Sequence, residues 1–252
     1  MITFQDVGRS SLSVASSIRI FFTFIGHLVV HLFKLLIRKL KIDWSMFFIT
    51  LYLSGARLMI PIIIISAVLG FSISMTLFPI FNEVHLGRKA LPIAQMAAIK
   101  HLTPILIGII LSIQSALNLI NARVHQLHHA PEEVMRDHII PIMLGEVITG
   151  FLLYIYSLIA FLVSIYSTFH YAFNIDVHDN ITYLASNISI YLLDYSLFKV
   201  WIYCSIISST TGYYYYKIAI RKISLRKAVS RIMTRSLLFI IFFSAYLNVF
   251  YA

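Results

Sequence analysis

The sequence predicts an all-α polytopic membrane protein: an N-terminal interfacial helix followed by five transmembrane helices. Three observations carry that prediction. Hydrophobic residues make up 60% of the chain and charged residues only 12%, against about 45–50% and about 25% in a water-soluble domain. Five apolar segments reach the roughly 20 residues that a helix needs to cross about 30 Å of hydrocarbon. The charges gather at the ends of those segments, where membrane proteins carry Lys and Arg. That placement also argues against nucleic acid as the reason for the net charge of +10. No barrel-type alternation and no internal repeat is present, so each span has to satisfy its backbone internally as a helix. A single membrane domain over residues 1–252 is expected.

The first element is IRIFFTFIGHLVVHLFKLLIRKL, residues 18–40. It is long enough to cross, but Arg9 and Arg19 precede it and Arg38, Lys39 and Lys41 follow it. Crossing would put one basic cluster outside, against the positive-inside tendency. His27, His31 and Lys34 share one helical face at i, i+4 and i+7, which suits an elbow lying in the interface with its apolar face in lipid. The spans follow near 47–78, 91–120, 139–168, 186–211 and 232–251, with a polar segment at 121–138. Residues 212–235 carry Lys217, Arg221, Lys222, Arg226, Lys227, Arg231 and Arg235, so this loop is expected inside. Residues 169–185 carry Asp176 and Asp179 and no Lys or Arg, so this loop is expected outside. The N-terminus and segment 121–138 then fall on the cytoplasmic side and the C-terminus outside. Arg88 and Lys89 in the outer loop 79–90 run mildly against the tendency. The run Tyr213–Tyr216 sits where an interfacial aromatic belt is expected.

Arg57, Lys100, His101, Glu146, Asp194 and Lys199 lie within the spans or at their ends. Such residues are costly in hydrocarbon and point to function or pairing; snorkelling from a helix end is the plainer alternative. Asp194 and Lys199, five apart, share a face poorly. The one cysteine, Cys204, rules out an internal disulfide. No phosphate-cradling Gly-rich loop is present, so the chain is not expected to bind ATP itself. The polar segment VHQLHHAPEEVMRDH, residues 124–138, sets His125, His128 and His129 at i, i+3 and i+4, with Glu132 at i+7 on the same helical face. Neutral imidazoles beside a carboxylate bind zinc or iron. Together with His27 and His31 they resemble two of the histidine boxes of membrane di-iron lipid desaturases and hydroxylases. A third box is missing, and Pro131 interrupts the helix after His129. A solvated amphipathic segment holding no metal is the blander reading.

A short stretch brings in a family. KHLTP, Lys100–Pro104, resembles the R-E-L-G-P segment of the MlaE/YrbE-type permeases, the membrane subunits of bacterial lipid-transport ABC systems linked to MCE proteins. Without gaps, LYLSGARLMIPIIIISAVLGFSISMT then falls on that family's first span, with Gly55 and Gly70 on its glycines. GRSSL, Gly8–Leu12, resembles the G-R-x-G-L opening before the elbow, Lys199 matches a lysine of the fourth span, and Ala228, Arg231 and Ser236 fall on family-like positions. The chain departs from the family at His101 (a glutamate there), Thr103 (glycine), Gln114 (arginine), Tyr215 and Ser224 (glycines) and Ser244 (aspartate).

The resemblance implies a homodimer in the bacterial inner membrane, a cytoplasmic ABC ATPase that binds ATP and Mg, an MCE-domain protein outside, and phospholipid as cargo. The chain itself would hold no cofactor and perform no chemistry. Segment 121–138 would be the coupling helix, with Arg123, Glu132, Glu133, Arg136 and Asp137 as its charged docking surface. Gly55, Ala56, Ser66, Gly70 and Ser74 would line a lipid cavity or dimer contact, because small residues allow close helix approach; packing within one subunit is the alternative. Lys100, His101, Pro104 and Lys199 are the family-motif positions. A membrane scaffold that transports nothing is the remaining alternative.

Overall fold

The computed structural model describes residues 4–37, 44–121, 131–174 and 190–250, and every regular element among them is helical. Helix α1 (Phe4–Leu36) is followed by five rods. The first joins α2 (Trp44–Leu51) to α3 (Arg57–Glu83) through a wide π-helical turn at Tyr52–Ala56. The second joins α4 (Gly87–Ala97) to α5 (Thr103–Asn121) through a π turn at Ala98–Leu102. The third joins α6 (Pro131–Val134) to α7 (Ile140–Phe173) through a π turn at Met135–Ile139. Helices α8 (Ile190–Ala219) and α9 (Leu225–Phe250) run without interruption. Six helical stretches are long and apolar enough to cross a membrane, the segment Ser16–Leu35 of α1 among them.

The rods outrun the apolar segments that announce them. The first is 40 residues long, about 60 Å at 1.5 Å per residue, so its ends stand beyond the hydrocarbon. The expected loop 79–90 shrinks accordingly to Val84–Leu86, where His85 takes a positive φ of 58°. The expected loop 212–235 shrinks to Ile220–Ser224, with Arg221 at φ 56°. Hydropathy marks where lipid stops, and a helix continues past that point wherever its backbone finds partners.

The tyrosine run corrects its sequence reading. Tyr213, Tyr214, Tyr215 and Tyr216 are all buried inside the protein, not spread along an interfacial belt. Four consecutive buried residues mean that the end of α8 is enclosed on every side. Helix α1 closes one side: Phe24 sets its ring against Tyr213 and Tyr216, and His27 meets Tyr216 edge to face at 5.9 Å. Tyr213 donates to the Ser17 carbonyl (3.3 Å), and Lys217 Nζ reaches Ser17 Oγ (3.4 Å). From α9, Arg235 lies over the Tyr214 ring. The histidine face of α1 therefore looks into the protein, and Phe22 and Phe33 look out.

Helix α7 is the hub, with α2, α3, α5 and α8 packed along it. Small residues set the spacing. A Cβ on Gly70 would stand 3.0 Å from the Phe161 carbonyl oxygen, and one on Gly145 would stand 3.0 Å from Thr50. Against α8, Gly212 faces Met143 and Ile139, and Gly150 faces Cys204. Ser208 Oγ donates to the Met143 carbonyl at 3.1 Å, fixing the same crossing.

Candidate functional site

The motif residues meet at one level of the bundle, and Pro104 is the reason. Proline has no N–H, so one carbonyl a turn earlier loses its helical donor. The π turn widens the helix there and leaves two carbonyls, those of Ile99 and Lys100, open to α8. Both are taken by side chains of α8. The Ile99 carbonyl accepts from Ser196 Oγ at 2.6 Å, and the Lys100 carbonyl accepts from Lys199 Nζ at 3.3 Å. Thr103 Oγ1 adds a bond of 2.9 Å to the Ala98 carbonyl, which also accepts the Thr103 backbone N–H.

From this seam the polar contacts spread to the neighbouring spans. Tyr154 of α7 donates its hydroxyl to Ser196 (2.9 Å). Lys199, fully buried, donates to Asn248 Oδ1 of α9 at 2.7 Å and lies 3.4 Å from His101 Nδ1. An ammonium can only donate, so Nδ1 of His101 is the acceptor and the imidazole proton sits on Nε2. Two cations approach the Tyr195 ring, Lys199 at 5.2 Å and Lys100 at 5.4 Å from its centroid. Its hydroxyl donates to the Leu247 carbonyl (3.2 Å). A buried ammonium without partners is costly; here neutral acceptors and an aromatic face take the place of a carboxylate. Asp194, the nearest acid in sequence, points outward from α8.

A second seam ties the first π turn to α5. Gln114 Nε2 donates to the Leu53 carbonyl (3.1 Å) and to Asn118 Oδ1 (3.0 Å), and Asn118 Nδ2 donates to Ser54 Oγ (2.6 Å). The small residues of the first span lie mainly against α7 of the same chain. Gly55 faces Thr149, Ser66 shares a 2.7 Å hydrogen bond with Ser157, and Gly70 abuts Phe161 and Ser164. Ser74 is buried and donates to the Gly70 carbonyl, whereas Ala56 is exposed on the opposite face.

At the other end of the third rod, Glu132 and Glu133 stand exposed on α6. Arg136 and Asp137 form a two-point ion pair, Nε–Oδ1 2.6 Å and Nη2–Oδ2 2.8 Å. Arg123, His125, His128 and His129 lie outside the described residues. His31 uses Nδ1 to donate to the His27 carbonyl (2.7 Å), which commits that nitrogen to the backbone. Among the described residues, no three His, Cys, Asp or Glu side chains gather as a metal set.

A family model described as Permease MlaE matches residues 47–250, from the first rod to the last residue of α9. The chain belongs to the MlaE permease family. No curated protein matches the permease by sequence. It is a multi-pass membrane protein and a transporter subunit rather than an enzyme. Of its motif positions, the structure brings Lys100, His101 and Lys199 into contact, and Pro104 leaves one carbonyl of the same turn without a helical donor. Asn248, Ser196 and Tyr154 complete the seam and escape sequence reasoning, because neutral side chains in apolar helices carry no signal of their partners.

Proposed function

We propose that this permease is the membrane subunit of an ATP-driven transporter that moves phospholipid between the bacterial inner membrane and an MCE-protein tunnel. It works as a homodimer on a pair of cytoplasmic ATPases, which supply the ATP and Mg site. The family match across all five rods is the observation that carries this reading. The exposed charges of α6 supply what docking onto an ATPase requires, a polar surface rigidly continuous with a span. Closure of the ATPase pair would push α6 and rock α7, and with it every helix packed on α7. In this reading the Lys199 seam keeps the second, fourth and fifth spans together during that motion.

The test is purification from the native host in mild detergent, with co-purifying proteins identified by mass spectrometry and metal assayed on the same sample. A stoichiometric ATPase and an MCE-domain protein are expected. A chain that purifies alone and carries iron would overturn the reading in favour of the histidine-box alternative. A complex whose ATP hydrolysis is indifferent to added lipid would instead identify a scaffold.

A further inference from the structure

Glu146 of α7 is fully buried, and neither of its carboxylate oxygens closes a hydrogen bond. It sits between two glycine contacts of α7 and α8. Met143, one turn before it, meets Gly212, and Gly150, one turn after it, meets Cys204. These contacts close the space around the carboxyl on both sides along the helix. The groups facing it are few. From α8 come Cys204 and Tyr215, its two titratable neighbours. From α5 comes Ser115, whose buried hydroxyl is the one neutral donor turned toward the carboxyl. Helix α2 presents Thr50 to the adjacent Gly145, and the π turn at Tyr52–Ala56 presents Gly55 to Thr149. Among the described residues no Lys, Arg or His reaches it.

An ionised carboxylate enclosed this way, with no counter-charge and one neutral hydroxyl beside it, would cost far more than a folded domain can spare. A neutral acid would not. We propose that Glu146 is a proton-binding site of the transport cycle. The carboxylate takes one proton from water as α7 and α8 close over it and returns that proton to water when they part. The step breaks no other bond and needs no other reactant. It couples the position of the two spans to a single protonation, in a place where no functional-site residue of the Lys199 seam takes part.

The probe is dicyclohexylcarbodiimide, an apolar reagent that enters membranes and modifies protonated carboxyls. It is applied to the full chain in native membranes, with the labelled peptide located by mass spectrometry. Glu146 is expected to be labelled at mildly acidic and neutral pH, less so as pH rises, and the peptide is expected to stay unlabelled in Glu146→Gln. The second readout is thermal unfolding in detergent, which does not depend on transport. The folded form holds one more proton than the unfolded chain above the ordinary carboxyl range, so its folding equilibrium constant is expected to fall by up to about tenfold per pH unit from mildly acidic pH upward, levelling off once the buried acid itself ionises. Glu146→Gln keeps the shape of the neutral acid and should lose that slope. Labelling that ignores pH, or identical unfolding profiles for Glu146→Gln and wild type, overturns the assignment. Neither result would bear on the ATPase and MCE partners, so the two readings fail separately.

Discussion

Lys199 shows how this chain carries a cation inside its spans without an acid. Its ammonium makes its shortest contact with the amide of Asn248, backed by the Lys100 carbonyl, the His101 nitrogen and the Tyr195 ring. Each of these is weaker than an ion pair, and together they leave few routes for the charge to reach water. Replacing Asn248 by Leu removes the 2.7 Å acceptor and leaves a buried donor short. We expect a loss of about 1–3 kcal/mol, read from unfolding in detergent. In a Lys199→Met background the same change should cost far less, because the unmet donor is gone. Equal costs in the two backgrounds would mean that the contact contributes nothing. The sequence marks Lys199 as an ionisable residue in a span, but Asn248 lies 49 positions away and is neutral. Nothing in the local pattern joins them.

The π turns are the elements that composition hides. Each adds backbone width to a rod without changing hydropathy, so the apolar segments read as plain spans. All three fall on positions singled out beforehand for other reasons: Gly55 and Ala56, Lys100 and His101, Arg136 and Asp137. The six long apolar helices and their order were legible because crossing lipid demands about 20 apolar residues each. The rod ends were not, because helices at Glu83 and Ala219 continue into polar sequence. The turn at Ala98–Leu102 also yields a test of what it does. Pro104→Ala restores an N–H that competes with an α8 side chain for the carbonyl the proline leaves free. The variant should be at least as stable as the parent, since proline inside a helix is the costlier residue. Its lipid transport, measured with the ATPase present, should fall. Full transport in Pro104→Ala would show that the seam is packing alone.

The whole molecule is polarised along its rods. The Lys199 seam lies near the start of α8 and the end of α9, whereas Glu132 and Glu133 stand at the start of the third rod. Its flanks are apolar: Ile64, Val68 and Phe71 of α3 are exposed on the side away from α7. Such a surface suits lipid or a second copy of the chain. If α6 is the place where an ATPase pushes, reversing its charge should break the coupling and leave the bundle intact. We expect Glu132→Lys combined with Glu133→Lys to unfold at the parent temperature and to lose lipid-dependent ATP hydrolysis. Normal transport by that double variant would remove α6 from the drive train. Cys204 finally offers a view of the bundle in motion. It is the one sulfhydryl in the chain, fully buried where α7 and α8 meet. A thiol reagent small enough to travel through lipid can reach it only in molecules whose two helices have separated. With no second sulfhydryl to subtract, the labelled fraction is a direct census of opened molecules, and it can be taken on the unaltered protein in its own membrane.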